Sequence, residues 1–340
     1  MGARKIKIAL VGCGRISGKH CDALEQHLDR AEIVAMCDLD KERVTKAAER
    51  FGAKTYTDLG VMLENEDLDL ASVTTPNGMH PEHVKMIADR DVNVLTEKPM
   101  AINTGDGKDM IEHCEKAGVR LFVVHQNRFN DTVQVAYKAL KSGRFGKIYM
   151  ITSNVFWTRP QDYYDKEGSW HGTKDMDGGA FFTQASHYID LMQWFAGAEP
   201  KNVSAVLRTL ARDIETEDSG IANIEWENGI LGAINVTMLT YPKNLEGSVT
   251  ILGEKGTVKI GGVAMNAIEH WEFADEQPYD QEIRNANYET SSVYGFGHVR
   301  YYENVFDVLE GKAEALVDGK EGYKSLDLIE RIIKAGSSHG

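Results

Sequence analysis

Short apolar segments alternate with amphipathic ones from residue 5 to residue 124, and this alternation constrains the fold more than any other feature. Strands are predicted at 6–11, 32–37, 70–73, 92–95 and 120–124, and helices at 19–28, 41–51, 81–89 and 105–117. A helix between two strands brings the chain back to start a parallel strand. The sequence therefore predicts an α/β domain in which helices cover both faces of a doubly wound parallel sheet.

The pattern changes after residue 124. A helix is predicted at 131–142, a strand at 147–156, a helix at 180–195 and closing helices at 296–310 and 321–334. Between 201 and 275 apolar and polar residues alternate with period two, which is typical of an open, mostly antiparallel or mixed sheet. We expect two domains, 1–125 and 126–340, the second with an α+β fold.

Composition excludes several classes of protein. The 340 residues carry a formal net charge of −14, which argues against binding to nucleic acid or to an anionic membrane surface. No apolar stretch approaches the ~18 residues that a membrane-spanning helix needs, and no signal peptide is evident, so we expect a cytoplasmic protein. The four cysteines lack C-x-x-C spacing. They are predicted to be buried reduced thiols, and no metal site is expected.

A glycine-rich segment follows the first predicted strand. It reads Gly12-Cys13-Gly14-Arg15-Ile16-Ser17 and leads into a helix. The first glycine permits a tight turn and the second lets a pyrophosphate approach the backbone, while the helix start offers free N–H groups. In this strand–turn–helix context the segment predicts a Rossmann-type dinucleotide site, with serine at the third glycine position.

Asp38 ends the second predicted strand, 21 positions after Ser17. A carboxylate there accepts hydrogen bonds from the ribose hydroxyls and repels a 2′-phosphate, which favours NAD over NADP. The alternative is that Asp38 only caps the helix that follows.

Polar residues also follow the next predicted strand, in Thr74-Thr75-Pro76-Asn77. Their place at a carboxyl strand end suits contact with the cofactor's ribose or pyrophosphate. His80 is interpreted either as a further ligand or as a helix-end cap.

Glu97-Lys98-Pro99 stands at the carboxyl end of the 92–95 strand, where an open α/β sheet has its ligand crevice. A cis bond before Pro99 is one possibility, since only X-Pro bonds adopt cis at low cost. A tight turn there would direct Lys98 into the crevice. Taken alone, the tripeptide is equally compatible with a surface turn of solvated charges.

Taken together, these motifs resemble the glucose–fructose oxidoreductase/inositol dehydrogenase (Gfo/Idh/MocA) family over essentially the whole chain. The later segments Asp177-Gly178-Gly179-Ala180 and His187-Tyr188-Ile189-Asp190 agree with it. The resemblance implies that Lys98 and His187 act at a sugar carbinol. The residues expected to bind the cofactor are Gly12, Gly14, Arg15, Ile16, Asp38, Thr75, Pro76, Asn77, His80, Glu97 and Lys98.

Several segments are similar to one subgroup of that family, the bacterial UDP-N-acetyl-2-amino-2-deoxy-D-glucuronate dehydrogenases. They are 156–164, 170–173, 184–187 and 241–248. The similarity implies NAD-dependent oxidation of the sugar's C3 hydroxyl to a ketone, which feeds diacetamido-uronic acid and lipopolysaccharide O-antigen synthesis. It also implies a homotetramer and, in part of the subgroup, reoxidation of NADH in place by 2-oxoglutarate.

The chemistry of these residues agrees with that role. Oxidation of a secondary alcohol needs a base for the hydroxyl proton and a cofactor for the hydride. His187 suits the base, and Lys98 suits stabilisation of a developing alkoxide. Many family members carry aspartate four residues before the histidine, where this chain has Thr183. Either Lys98 and His187 suffice, which we prefer, or Gln184 helps to position the sugar.

A UDP-uronate needs cations for its pyrophosphate and carboxylate. Arg159, Arg128, Lys243 and Arg15 are the candidates, and Arg159 is preferred because a guanidinium pairs with anions bidentately. A solvated surface position is the alternative for each. The residues expected to bind substrate are Lys98, Asn127, Arg128, Arg159, Tyr163, Tyr164, Thr183, Gln184 and His187.

Two other functions remain open at this point. One is the same chemistry on another sugar or polyol, which competition by UDP would distinguish. The other is a catalytically silent NAD-binding regulator, for which the missing aspartate at position 183 is the one supporting feature.

Overall fold

The computed structural model describes residues 4–166, 168–290 and 295–337. The predicted domains 1–125 and 126–340 extend to residues outside this set at both chain ends, at 167 and at 291–294.

Thirteen strands and twelve α-helices are present in the described residues. The strands are β1 Ile6–Val11, β2 Ala31–Cys37, β3 Lys54–Tyr56, β4 Leu70–Val73, β5 Asn93–Thr96, β6 Leu121–Val123, β7 Ile148–Phe156, β8 Pro200–Arg208, β9 Ser219–Trp226, β10 Leu231–Thr237, β11 Glu246–Gly253, β12 Gly256–Gly261 and β13 Ala267–Phe273. The helices are α1 Ser17–Leu24, α2 Lys41–Glu49, α3 Leu59–Asn65, α4 His80–Ala88, α5 Thr104–Ala117, α6 Asp131–Lys141, α7 Gln161–Tyr164, α8 Ala180–Thr183, α9 Ser186–Ala196, α10 Ile283–Ala286, α11 Gly297–Leu309 and α12 Gly319–Ser337.

The chain forms two compact units. The first contains the chain up to Val124 and residues 298–323, and the second contains 125–297 and 324 onward. Most of α11 and the start of α12 thus pack with the first unit although they come late in the chain. The compact units are therefore not two uninterrupted stretches, and the linear division at residue 125 remains our proposal for the end of the first domain.

A six-stranded parallel sheet forms the centre of the first unit, in the order β3-β2-β1-β4-β5-β6. Every residue of β4 is buried, and so are Ile8 and Leu10 of β1, because helices cover both faces. The strand order reverses between β1 and β4. In open parallel sheets the crevice outside the carboxyl ends at such a point is where ligands bind. The predicted parallel sheet is confirmed.

A seven-stranded sheet forms the second unit, in the order β13-β12-β11-β7-β10-β9-β8. Neighbouring strands are antiparallel except β7 and β10, which are parallel. Helix α9 packs on β7 and β11, and the core between them includes the fully buried Ile151 and Ile251. The predicted open, mostly antiparallel sheet in an α+β unit is confirmed.

Some elements differ from the predicted ones. One strand and three short helices were not predicted, β3, α3, α7 and α10. Strand β3 has no buried residue and so lacks an apolar pattern. The single helix predicted at 180–195 is wrong. The chain forms α8 and α9, separated by Gln184 and Ala185. The N–H groups of both intervening residues bond to the carbonyl of Ala180, which closes the first helix before the second begins.

None of the described helices is long and apolar enough to cross a membrane.

Candidate active site

The glycine segment after β1 forms a tight loop against the end of β4. Gly12 has φ +95°, and a Cβ there would lie 2.9 Å from the Thr74 carbonyl group and the Thr75 nitrogen. The Thr74 hydroxyl donates to the carbonyl of Gly12 at 2.6 Å. Gly14 differs, since a Cβ there would meet nothing within 4 Å. The loop is thus fixed on its Gly12 side and open at Gly14, which suits the approach of a pyrophosphate.

The third position of the motif also holds the loop. Ser17 begins α1, and its hydroxyl donates to the carbonyl of Gly14 at 2.7 Å. The first N–H groups of α1 have no partner within the helix, so this end of the helix favours an anion. Ile16 and the exposed Arg15 lie between Gly14 and this helix start. The serine therefore replaces the third glycine without disrupting the anion-binding geometry.

Asp38 lies at the carboxyl end of β2 and bonds to the glycine loop. Its carboxylate accepts the N–H of Cys13 at 2.7 Å and that of Asp40 at 2.9 Å. The N-cap of α2 is Asp40, whose side chain accepts the N–H groups of Glu42 and Arg43 at 3.0 Å. Asp38 is thus not the cap of this helix. Its carboxylate stands beside the loop, where the ribose of a dinucleotide would lie.

His80 connects two of the predicted cofactor segments. It is fully buried, with Nδ1 2.9 Å from the carbonyl oxygen of Pro99 and Nε2 2.8 Å from that of Thr75. Both ring nitrogens therefore face protein carbonyls, which speaks against His80 as a cofactor ligand. The half-buried Thr75 and Pro76 and the buried Asn77 lie at the carboxyl end of β4, as the sequence analysis expected.

The Lys98-Pro99 peptide bond is cis, and Lys98 is half-buried at the carboxyl end of β5. Its backbone N–H donates to Oε2 of Glu97 at 3.0 Å. Glu97 itself is buried, and its Oε1 lies 2.9 Å from Nε2 of His20 and 3.7 Å from Nε2 of His298. The hydroxyl of Tyr302 lies 2.7 Å from Nδ1 of His20, which extends the network.

This network keeps Glu97 charged. Burial alone would raise the pKa of Glu97, but the hydrogen bond from His20 and the nearby ring of His298 hold that pKa well below its ordinary value. The carboxylate thus fixes the backbone of Lys98 from inside the unit and is buried away from solvent. We therefore interpret Glu97 as a positioning residue for Lys98.

His20, Glu97 and His298 are also residue types that hold metals, and one ligand atom of each lies within 4.8 Å of the others. The 2.9 Å separation of His20 and Glu97 is an ordinary hydrogen-bond distance, however, and the second carboxylate oxygen accepts the Lys98 N–H. Hydrogen bonding therefore accounts for both oxygens of Glu97.

His187 lies in the first turn of α9 in the second unit. Its Nε2 is 3.1 Å from the side-chain nitrogen of Gln126, in the short 3₁₀-helix Gln126–Phe129. One turn further along α9, Asp190 accepts two hydrogen bonds from Arg128, at 2.9 and 2.7 Å. The guanidinium of Arg128 also lies over the ring of Trp194.

The pairing with Asp190 argues against Arg128 as the substrate cation that the sequence suggested. The side chain of Arg128 is 1% exposed and its charge is paired bidentately with Asp190. Asn127 is buried too, and its amide oxygen has no hydrogen-bond partner among the described residues, so it remains a candidate for binding substrate.

Four of the predicted substrate residues lie in one cluster of polar and aromatic contacts. Arg159 donates to Oε1 of Gln184 at 2.7 Å, and the Gln184 nitrogen lies 3.3 Å from the Tyr163 hydroxyl. The ring of Tyr163 stacks on His171, which lies 3.8 Å from the carboxylate of Asp177. The hydroxyl of Thr183 donates to that carboxylate and completes the cluster.

The position of Thr183 corrects one premise. The sequence analysis placed it one helical turn before His187, but the two residues belong to different helices, α8 and α9. Thr183 instead faces Asp177, which supplies a carboxylate at this point of the unit. Tyr164 is half-buried beside this cluster, and burial raises the pKa of its hydroxyl. Lys243 is exposed.

Sequence reasoning missed His20, His298, Gln126, His171 and Asp177 as residues that support the site. A signal existed for three of them, because Asp177 and His171 lie within segments that carried the family resemblance, 177–180 and 170–173, and Gln126 directly precedes the candidate Asn127. His20 and His298 gave none, because 278 positions separate them in the chain and only the fold brings them to one carboxylate.

The strand order, the glycine loop at the switch point and the carboxylate at the end of β2 define a dinucleotide-binding oxidoreductase. The model of the oxidoreductase family's NAD-binding Rossmann fold matches residues 6–125, and the model of its C-terminal alpha/beta domain matches 137–339. The chain thus belongs to the Gfo/Idh/MocA oxidoreductase family, and the expected NAD dependence is confirmed.

Solved structures include similar proteins that cover the whole chain. The WlbA dehydrogenase of Bordetella pertussis, in complex with NADH and UDP-GlcNAcA, is 52% identical, with a TM-score of 0.95 over 100% of this chain and 98% of that one. The WlbA dehydrogenase of Chromobacterium violaceum, in complex with the same two molecules, is 49% identical, with a TM-score of 0.93 over 100% and 96%. A D-apiose dehydrogenase of Paraburkholderia graminis is 27% identical over 274 residues, which cover 76% of this chain and 68% of that protein.

Proposed function

We propose that this protein oxidises UDP-N-acetyl-2-amino-2-deoxy-D-glucuronate at its C3 hydroxyl, giving the 3-keto sugar. One observation carries the choice of substrate. The chain is 52% and 49% identical, over its full length, to two dehydrogenases solved with NADH and UDP-GlcNAcA. Relatives with other names, such as the D-apiose dehydrogenase, are far less similar, at 27% identity.

The cofactor would bind along the carboxyl ends of the first sheet. The open side of Gly14 and the start of α1 receive the pyrophosphate, and Asp38 accepts the ribose hydroxyls. Thr75, Pro76 and Asn77 line the same edge after β4. When bound, NAD supplies the acceptor for the hydride that leaves the carbinol carbon.

Lys98 and His187 are the proposed catalytic residues. The ammonium of Lys98 donates to the carbinol oxygen and stabilises negative charge on it. His187 takes the hydroxyl proton as the carbon loses its hydride, so that the products are ketone, NADH and one proton. Each residue of the pair is held by a neighbouring side chain, which supports the proposal. Glu97 accepts the backbone N–H of Lys98, and the Gln126 amide contacts the ring of His187.

The anionic substrate would bind the cluster around Arg159. This half-buried guanidinium lies near the rings of Trp157 and Tyr163, and its two terminal nitrogens donate to the Thr158 carbonyl and to Gln184. Each terminal nitrogen keeps a second N–H that could donate to a carboxylate or phosphate. Tyr163, Tyr164, Thr183, Gln184 and Asn127 complete the proposed substrate contacts.

Three further features belong to the same proposal. The product would feed diacetamido-uronic acid and O-antigen synthesis in the cytoplasm, and 2-oxoglutarate would reoxidise NADH in place. The protein would form a homotetramer, supported by apolar residues exposed on the second sheet. On adjacent strands Val206 and Ile221 are paired, with 45% and 52% of their surface exposed.

The test is to incubate the purified protein with NAD and UDP-N-acetylglucosaminuronate, with and without 2-oxoglutarate, and to measure the mass of the product by mass spectrometry. A loss of two mass units is expected, and its absence would remove the substrate assignment. Competition by UDP distinguishes this substrate from a free sugar or polyol, and any hydride transfer excludes a silent regulator.

The catalytic roles are tested separately. Lys98→Ala and His187→Asn should each abolish turnover while NAD still binds. Lys108→Ala and His113→Asn are matched controls, since Lys108 and His113 occupy the solvent-facing pairs with Glu112 and Asp89. Turnover near the wild-type rate in Lys98→Ala or His187→Asn would refute the role of that residue.

A further inference from the structure

The side chain of Gln126 contacts His187 in a buried place. The Gln126 nitrogen and Nε2 of His187 are 3.1 Å apart, and the residues are 2% and 9% exposed. No other hydrogen bond of Gln126's side chain is present in the described residues, and its Oε1 is buried without a partner. The amide is therefore available to serve the imidazole alone.

Neighbouring contacts fix the position of Gln126 relative to His187. On either side of Gln126, His125 and Arg128 both face Asp190, at 3.6 Å and 2.7 Å. Asp190 lies three residues after His187 and so shares its face of α9. Backbone packing adds to this, because a Cβ at Gly297 would come 2.1 Å from the Gln126 carbonyl oxygen. The segment has little freedom to move away from His187.

The amide can meet the imidazole in two ways. With its nitrogen toward Nε2, it donates to the ring lone pair, and the proton of a neutral ring then sits on Nδ1. With its oxygen toward Nε2, it accepts an N–H, and Nδ1 carries the lone pair. The two orientations differ only by exchange of the amide nitrogen and oxygen, which have nearly the same shape.

Only the second arrangement serves a base. A base must present a lone pair to the carbinol, and after it takes the proton both of its nitrogens are donors. With Nε2 against Gln126, an amide oxygen there stabilises both the neutral and the protonated ring. An amide nitrogen would instead repel the N–H of the protonated ring.

We propose that Gln126 is a positioning residue for His187. Its amide oxygen accepts the Nε2–H of His187 during turnover, which leaves Nδ1, a buried atom in this structure, as the ring nitrogen that receives the carbinol proton. The amide fills the part that a carboxylate plays beside the histidine of a catalytic triad. Thr183, at the position of the family aspartate, donates its hydroxyl hydrogen bond to Asp177 and supplies no carboxylate to His187. This inference rests on the proposed role of His187.

The test compares three variants of the full-length protein with bound NAD. Gln126→Leu removes the acceptor at similar volume and should lower kcat about 100-fold with little change in the sugar's KM, since general-base catalysis contributes about 10²–10⁴-fold. Gln126→Glu supplies a charged acceptor. It should keep turnover and move the acid limb of the kcat profile about one unit higher, because a nearby carboxylate favours the imidazolium. Gln281→Leu, at an exposed glutamine, should change neither.

A second readout does not depend on activity. In protein labelled with ¹⁵N-histidine, long-range nitrogen–proton spectra should show His187 as the Nε2–H tautomer, and Gln126→Leu should lose that preference. The His187→Asn variant assigns the signal.

The outcomes separate two kinds of failure. Wild-type kcat and pH profile in Gln126→Leu, or an unchanged acid limb in Gln126→Glu, would overturn this inference. Full turnover in His187→Asn would instead refute the proposed base role of His187, on which this inference rests, and the product mass tests the reaction separately.

Discussion

Oε1 of Glu97 and Nε2 of His20 are 2.9 Å apart inside the first unit, and 77 positions separate the two residues in the chain. The other oxygen of Glu97 accepts the backbone N–H of Lys98. One buried carboxylate thus connects helix α1 with the segment that carries the proposed catalytic lysine. The position of Lys98 thus depends on Glu97 and, through it, on His20, and neither residue has a part in the proposed chemistry.

Replacement of His20 by Leu should destabilise the protein. The variant leaves the buried carboxylate of Glu97 without its closest donor, and loss of a hydrogen bond to a charged group costs about 2–3 kcal/mol. Urea unfolding at pH 7 measures the free energy. His113→Leu is the control. His113 pairs with Asp89 at the surface, so its replacement should lower the free energy of unfolding by less than about 1 kcal/mol. Equal stabilities of the two variants would contradict the prediction.

The destabilisation caused by His20→Leu should depend on pH in a definite direction. The pKa of Glu97 is lowered in the folded protein, so the carboxylate contributes stability above its unfolded pKa and loses that contribution as the pH falls. The gap between wild type and His20→Leu should therefore be widest near neutral pH and narrow in acid. A gap that widens in acid would contradict this assignment.

Asp38 and Asp40 should separate cofactor binding from helix capping. Asp38→Asn keeps an acceptor for the Cys13 N–H but loses the charge, and NAD affinity should fall about tenfold, or about 1.4 kcal/mol, while NADP gains relative to NAD. Asp40→Ala removes the cap of α2 and should cost about 1 kcal/mol of stability without changing NAD affinity. Titration with NADH and NADPH, followed by nicotinamide fluorescence, measures the affinities, and urea unfolding measures the stability. Reduced NAD affinity in Asp40→Ala alone would reverse the roles.

Glu217 should make the second unit less stable as the pH rises. Burial, with help from the charge on Asp177, raises the pKa of this half-buried carboxyl from 4.5 to about 7, although it accepts the N–H of Phe181. A raised carboxyl pKa gives stability below the unfolded value that is lost as the pH rises through the folded one. Between pH 4 and pH 8 the free energy of unfolding of Glu217→Gln should thus rise, relative to that of the wild type, by up to about 3 kcal/mol.

Unfolding by urea at a series of pH values tests this, with the exposed Glu227→Gln as control. A constant difference between wild type and Glu217→Gln across the range would show that the Glu217 carboxyl does not titrate there.

The fold was predictable where the sequence pattern is local. Strands such as Ile6–Val11 and Leu70–Val73 are mostly apolar and nearly all buried because both faces of the sheet are covered, and their bounds match the predicted ones. The turn chemistry of Gly12 is equally local, since one φ of +95° requires glycine. Lys54–Tyr56 escaped prediction because its edge position leaves its residues at least partly exposed.

The supporting contacts of the site were not predictable in this way. The Tyr302 hydroxyl reaches His20 across 282 positions of the chain, and no periodicity records such a contact. Arg128 shows the same limit. Its sequence neighbourhood fits a substrate cation, but burial against Asp190 follows from tertiary packing alone. Residue type predicted the chemistry of the side chain, and only the fold decides which charge it meets.

Arg128 and Arg159 should therefore respond in different ways to the same substitution. Arg128→Leu leaves the Asp190 carboxylate buried and unpaired, which should cost about 3–5 kcal/mol of stability. Arg159 is half-buried and pairs with no carboxylate among the described residues, so Arg159→Leu should cost less stability, about 1–2 kcal/mol for its lost hydrogen bonds. It should raise the KM for the nucleotide sugar at least tenfold, because an anion contact is lost. Thermal unfolding and steady-state kinetics on both variants measure the contrast. A stable Arg128→Leu protein with a raised KM would restore Arg128 as a substrate cation.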